Sequence, residues 1–175
     1  EMDYVLGDSG TQLAVAGSKH LKVLGGSAVD CQTLPVRKLL IPKQEGKSDH
    51  LVPKNAPALI LYTSGSTGRP KGVVLSHANL EAQIRMLVSA WGWGPEDRIL
   101  HTLPLHHIHG LVNALLCPLW CGAVCEFLPR FDPPEVWKHL TGNQVTVFMG
   151  VPTIYAKLLG YRQELSGKQD LVRAL

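Results

Sequence analysis

Pro57-Ala-Leu-Ile-Leu-Tyr-Thr-Ser-Gly-Ser-Thr-Gly-Arg-Pro-Lys-Gly-Val73 passes from hydrocarbon to hydroxyls, glycines and one lysine within a few positions. The apolar opening, Pro57 to Tyr62, is short and bounded by a turn-forming stretch, which predicts a buried strand. Thr63, Ser64, Ser66 and Thr67 then offer four hydroxyls within five positions. Gly65 and Gly68 permit backbone conformations that turn N–H groups toward a ligand, and Lys71 adds a positive charge at the far end. Clustered donors, permissive glycines and a lysine after a buried strand have the chemistry of a polyphosphate cradle. A Walker A loop is the competing pattern and does not fit: its second glycine position holds Pro70, and Lys71 is followed by Gly72. A flexible Ser/Gly linker is the plain alternative, but linkers seldom follow a buried strand or end in Pro-Lys-Gly.

Downstream, strand-like and helix-like stretches alternate. Ser76 to Asn79 offers N-cap candidates for a helix reaching about Trp91. Ile99–Leu103 is a strand, Leu111–Trp120 an apolar helix, and Ala123–Leu128 a strand. Asp132 and Pro133 open a helix ending near Gly142. Val145–Met149 is a strand, and Pro152 opens a further helix. The alternation predicts an α/β fold with mostly parallel sheets flanked by helices. Upstream, Leu13–Ala16 and Val36–Ile41 read as strands. Three segments follow: a partial α/β segment over 1–42, an exposed connector over 43–56 rich in breakers, and an α/β segment over 57–175 that carries the phosphate loop. There is no internal repeat and no low-complexity tract.

At 175 residues and 45% hydrophobic, the chain suffices for a sizeable core and is neither collagen-like nor disordered. Its net charge of +3 comes without a dense basic stripe, which argues against nucleic acid as the partner and suits a small anion. No apolar run reaches the roughly 20 residues of a membrane span. The start at Glu1 and the end inside the helix-like Asp170–Leu175 read as a piece of a longer protein. Cys117, Cys121 and Cys125 share a four-residue spacing, but Pro118, Gly122 and Val124 interrupt any helix through them, and small buried thiols are the expectation rather than a metal site. His101, His106, His107 and His109 form the densest histidine group. An extended stretch after Pro104 would put His107 and His109 on one side, a metal geometry, yet no carboxylate or cysteine joins them.

Tyr62-Thr-Ser-Gly-Ser-Thr-Gly-Arg-Pro-Lys-Gly72 resembles the signature loop of the adenylate-forming superfamily of acyl-CoA synthetases, luciferases and peptide-synthetase adenylation domains. Leu103-Pro-Leu-His-His-Ile-His-Gly-Leu111 and Gly150-Val-Pro-Thr153 resemble later motifs of that family, in the same order. With Ile99-Leu-His101, Val112-Asn-Ala-Leu-Leu-Cys-Pro-Leu-Trp120 and Val147-Phe-Met-Gly-Val-Pro-Thr-Ile-Tyr155, the likeness narrows to the malonate–CoA ligases of mitochondria and their bacterial malonyl-CoA synthetase relatives. The resemblance implies part of the large N-terminal domain of such an enzyme, without the small C-terminal lid that carries a catalytic lysine. It implies ATP, Mg²⁺ and, as co-substrate, CoA. A carboxylic acid, ATP and CoA would be the small-molecule partners, with no nucleic acid, no membrane span and no stable protein partner evident, and a mitochondrial location.

By the same resemblance, Thr63, Ser64, Gly65, Ser66, Thr67, Gly68, Arg69, Pro70 and Lys71 hold the nucleotide phosphates. Lys71, Thr67 and His107 serve catalysis, and His106, His107, His109 and Gly150 shape the acyl pocket. No resident metal ligand is expected from the protein itself. A dicarboxylate would need a second cation, best an arginine; Arg85, Arg98 and Arg130 are the arginines of the central block, none of which the sequence places in the pocket, and a residue beyond Leu175 is the alternative. The chain alone is expected to be inactive in thioester formation. Another adenylate-forming activity, such as a fatty-acyl ligase or a peptide-synthetase module, and a non-catalytic nucleotide-binding fragment remain as alternatives, since the loop itself does not separate them.

Overall fold

The computed structural model describes residues 2–39, 51–63, 68–142 and 144–173. Its contacts group into two compact units, residues 1–78 and 79–175. The first unit begins with helix α1 (Met2–Asp8), strand β1 (Leu13–Ala16), helix α2 (Ser18–Leu24) and strand β2 (Gln32–Pro35). β1 and β2 pair in parallel, Leu13 opposite Gln32, with α2 in the crossover that a parallel pair requires. Strands β3 (Pro57–Thr63) and β4 (Lys71–Ser76) form an antiparallel hairpin whose register places Ile60 opposite Val74 and Thr63 opposite Lys71. Helix α3 (His77–Trp91) follows directly. Its first two amides donate to the carbonyls of Ala56 and Lys54, at 3.2 and 2.8 Å, so backbone entering the hairpin satisfies groups that a helix start leaves open.

In the second unit, strands β5 (Arg98–His101), β6 (Val124–Phe127) and β7 (Val147–Phe148) form a parallel sheet in the order β6-β5-β7. The crossovers are a wide π-helical segment (His109–Leu116) continuing into α4 (Cys117–Cys121), and α5 (Pro133–Thr141); α6 (Pro152–Arg173) leaves β7. β5 is the central strand and is buried on both faces. Ile99 belongs to a cluster with Ile84, Trp93, Leu103, Val112, Ala114 and Cys117, whereas Leu100 points the other way, toward Val136 and Leu158. Trp137 ties α5 to α6 by donating from Nε1 to the Leu158 carbonyl at 3.0 Å.

The α/β class and the parallel sheets match the sequence reading, and so do strands at 13–16 and 57–62; the strand expected over 99–103 is β5, which ends at His101. Three elements differ. The described part of the strand expected over Val36–Ile41, residues 36–39, is not a strand: pairing ends at Pro35, whose fixed φ and missing N–H suit the end of a ladder, and Val36–Lys38 form a single 3₁₀ turn. Residues 40 and 41 lie outside the described residues, as does most of the expected connector at 43–56. β4 was not foreseen, because Lys71 and Gly72 mask the β-branched pair Val73-Val74 that carries it. The apolar segment after residue 108 is a π-helix before it becomes α-helical; the Cys117 amide reaches back five residues to Val112. Asp132 and Pro133 do occupy the start of α5, although the Asp132 side chain makes no capping bond.

Two outcomes test this packing. Ile99→Ala removes most of a fully buried side chain from the central strand, and is expected to destabilise the intact protein by about 2–5 kcal/mol in urea unfolding. Cys117 is fully buried, and burial, with Cys121 as a lesser influence, pushes its thiol up to about 11 from an ordinary 9.0. Only the thiolate is nucleophilic, so at pH 8 alkylation of Cys117 by iodoacetamide should be about a hundredfold slower in the native protein than in urea.

Candidate functional site

The hairpin stems hold the two ends of the expected phosphate loop side by side. β3 is half-buried and delivers Thr63 to an exposed position, while β4 starts at the exposed Lys71 directly opposite. The Thr63 hydroxyl donates to the Lys71 carbonyl at 3.5 Å. Gly68 has φ of +91°, where a side chain would be strained and glycine is not. Gly72 suits its place for a different reason: a Cβ there would crowd the facing strand, 3.1 Å from Ile60 Cγ2 and 3.2 Å from Tyr62 Cζ. Ser64, Gly65, Ser66 and Thr67 lie outside the described residues. What the geometry establishes is the frame: Thr63, Gly68, Arg69, Pro70 and Lys71 are brought together at one end of a registered hairpin.

Helix α1 contributes side chains that sequence reasoning missed. The Tyr62 hydroxyl donates to Asp8 Oδ2 at 2.7 Å, and this bond to a carboxylate raises its pKa above the ordinary 10.0. The Tyr4 hydroxyl donates to the Pro70 carbonyl at 3.1 Å. The only trace in the sequence is the four-residue spacing of Tyr4 and Asp8, which puts both on one helix face.

The second set of expected residues lies in the other unit. β5 and β7 are parallel, so the segments leaving them emerge at the same, carboxyl, edge of the sheet. Residues 104–109 leave β5 there and Gly150 leaves β7 there, the edge at which open α/β sheets bind ligands. Residues 104–107 turn rather than extend, with the His107 amide donating to the Pro104 carbonyl, so His107 and His109 do not alternate along a strand. His106 and His107 are exposed with rings 4.3 Å apart, and His109 is half-buried at the start of the π-helix.

His101 is part of the scaffold. It is 2% exposed, its Nε2 lies 2.8 Å from the Gly110 carbonyl, and its ring stacks on Phe127 at 4.7 Å. That bond meets a carbonyl in the first turn of the π-helix and so ties the helix to β5. Gly110 and Gly150 are both sterically required. A Cβ on Gly110 would collide with the Pro104 carbonyl oxygen, and one on Gly150 would stand 2.9 Å from Ile154 Cγ2. Thr102 Oγ1, at the same edge, is a buried hydroxyl without a hydrogen-bond partner among the described residues.

Elsewhere, side chains are structurally engaged. Asp97 accepts from the Gly94 amide and the Thr146 hydroxyl, and Thr146 accepts from the Arg98 amide at 2.9 Å, locking the start of β5 to the approach to β7. Arg85 pairs with Glu81 at 2.9 Å and lies over Trp120, and Arg98 pairs with Glu126 at 3.7 Å. The thiol of Cys121 bonds to the backbone carbonyls of Cys117 and Pro118, and Cys125 sits on β6 instead of the helix. Among the described residues no group of three or more His, Cys, Asp or Glu side chains is arranged to hold a metal ion. No described helix is long and apolar enough to cross a membrane.

The frame and the carboxyl-edge segments have counterparts in known proteins. The family described as AMP-binding enzyme matches residues 1–174. The mitochondrial malonate–CoA ligase ACSF3 of Xenopus laevis is 46% identical over 189 residues, covering 99% of this chain and 33% of the relative. Among solved structures, ATP-bound MatB from Rhodopseudomonas palustris superposes with a TM-score of 0.78 at 33% identity, covering 91% of this chain and 33% of that one. A malonyl-CoA ligase in a ternary product complex with methylmalonyl-CoA and AMP gives 0.75 at 32% identity, covering 89% and 32%. The chain thus spans about a third of the length of the curated relatives it matches. With the family pattern running over residues 1–174 and relatives more than 40% identical along its whole length, this chain belongs to the AMP-binding enzyme family.

Proposed function

We propose that this chain is part of an ATP-dependent acid–CoA ligase that activates a short dicarboxylate, malonate or methylmalonate, as an acyl-adenylate and transfers the acyl group to CoA. The observation that carries the reading is the hairpin register, which sets Thr63 opposite Lys71 across a loop of hydroxyls and glycines. The relatives named as malonate–CoA ligases and the likeness to a complex holding methylmalonyl-CoA and AMP support the choice of acid. A mitochondrial location is proposed with it, on the names of the vertebrate relatives.

In the first half-reaction a carboxylate oxygen bonds to the α-phosphorus of ATP and the bond to pyrophosphate breaks. Two anions must meet, so the protein's task is positioning and neutralisation of charge. In this reading Thr63, Ser64, Gly65, Ser66, Thr67, Gly68, Arg69, Pro70 and Lys71 grip the departing pyrophosphate, the Lys71 ammonium balancing its charge and the hydroxyls and amides donating to its oxygens. In the second half-reaction the CoA sulfur bonds to the acyl carbon and AMP leaves. His106, His107, His109 and Gly150 would line the path of the acid at the sheet's carboxyl edge, Gly150 by keeping a side chain out. Arg85 and Arg98 already have carboxylate partners, which leaves the exposed Arg130 as the one central arginine proposed to meet a second carboxylate.

Mg²⁺ would arrive with the nucleotide. The described stems present hydroxyls and a lysine, with no cluster of carboxylates, and a hard cation of this size is met by phosphate oxygens and water. When bound it would neutralise phosphate charge.

The test is acid-dependent ATP–pyrophosphate exchange on the intact protein, with malonate, methylmalonate, acetate and octanoate. Malonate or methylmalonate should drive exchange, and the Lys71→Ala, Thr67→Ala double variant should lower it by about 10²–10³-fold, the scale on which removing charge-stabilising donors acts. Exchange with octanoate or acetate alone would discard the dicarboxylate, and exchange with no acid would discard the ligase.

A further inference from the structure

We propose that helix α1 is a clamp that positions the phosphate-binding loop, with Tyr4 and Asp8 each holding one of its two stems. This rests on the reading of 63–71 as the nucleotide-phosphate loop and adds to it residues far from the motif in sequence. Tyr4 and Asp8 are one helical turn apart and share a face. Asp8 accepts from the Tyr62 hydroxyl at 2.7 Å, next to Thr63 on the incoming stem, and the same hydroxyl lies 3.4 Å from the Val5 carbonyl. Tyr4 donates to the Pro70 carbonyl at 3.1 Å, next to Lys71 on the outgoing stem.

The rings complete the contact. Tyr4 meets Tyr62 edge to face at 6.4 Å and 79°, and the Arg69 guanidinium lies 5.9 Å from the centre of the Tyr4 ring, at the outer reach of a cation–π contact. The Pro70 carbonyl belongs to the same peptide unit as the Lys71 amide, so the hydroxyl that holds it also orients the plane from which the Lys71 backbone departs. The stems are 54 to 66 residues away from α1 in the chain, so these bonds are tertiary ones. Proline at 70 suits the arrangement, offering a carbonyl to Tyr4 and carrying no N–H to satisfy. These are positioning residues: they touch the loop's stems, and they act on the nucleotide only through them.

The test uses the intact enzyme with a Tyr4→Phe, Tyr62→Phe double variant, which keeps both rings and deletes both hydroxyls, and with Asp8→Asn, which keeps an acceptor for Tyr62. Three readings are taken: amide hydrogen exchange of peptides covering 57–63 and 68–76, binding of a fluorescent ATP analogue without acid, and KM for ATP and for the acid in the exchange assay. In the double variant the stem amides should exchange faster, and analogue affinity and KM for ATP should worsen by about thirtyfold, the combined weight of two hydrogen bonds. KM for the acid should stay within about twofold and Asp8→Asn should resemble wild type. Unchanged stem exchange and nucleotide affinity would overturn the clamp, as would a loss shared equally between ATP and acid and accompanied by a fall in Tm. Failure of the functional reading shows separately, in the wild-type protein, as absent analogue binding or absent acid-dependent exchange.

Discussion

Strand β5 is the constraint on which the second unit depends. Its backbone is paired on both edges and its side chains are covered on both faces, so Ile99 and Leu100 each anchor a separate apolar cluster. Parallel strands buried this way need crossovers on the sheet's faces, and the π-helical segment with α4 and the helix α5 supply them. Once three parallel strands are in register, everything leaving their carboxyl ends emerges at one edge. That geometric necessity brings the histidine-rich turn after β5 and Gly150 after β7 to the same side, although more than 40 residues separate His109 from Gly150 in the sequence.

The histidines themselves divide according to burial. His101 lies inside, bonded to the Gly110 carbonyl and stacked on Phe127, and it helps to seat the π-helix. His106 and His107 lie in an exposed turn, available to a ligand. Residue type was the same throughout; depth and backbone direction assign them different work. Gly110 shows how tightly that turn is folded back, since even a methyl group there would meet the Pro104 carbonyl.

The first unit solves a different problem. The sequence between its strands β3 and β4 is rich in glycine and hydroxyl groups, a composition that offers little hydrocarbon for packing. The β3–β4 register sets Thr63 against Lys71, and the bonds from Tyr4 and to Asp8 tie both stems to α1.

Much of this was legible from local sequence. The run Pro57–Tyr62, the glycine and hydroxyl loop, the Asp-Pro start of α5 and the alternation of strands and helices follow from hydrophobic periodicity and turn chemistry, which are short-range properties. The sequence by itself thus determined the α/β class, the central strands and, through its motifs, the family. Where short-range cues misled, the deciding factor was pairing or packing: strand β2 ends at Pro35, and β4 exists because Val73 and Val74 find β3 to pair with. Only the tertiary structure decided that His101 is scaffold, that the 104–107 segment turns, that Arg85 and Arg98 are already paired, and that Tyr4 and Asp8 reach Pro70 and Tyr62. Each of these depends on groups distant in sequence meeting within a few ångströms, and such distances are set by the packing of whole elements and not by any neighbouring residue.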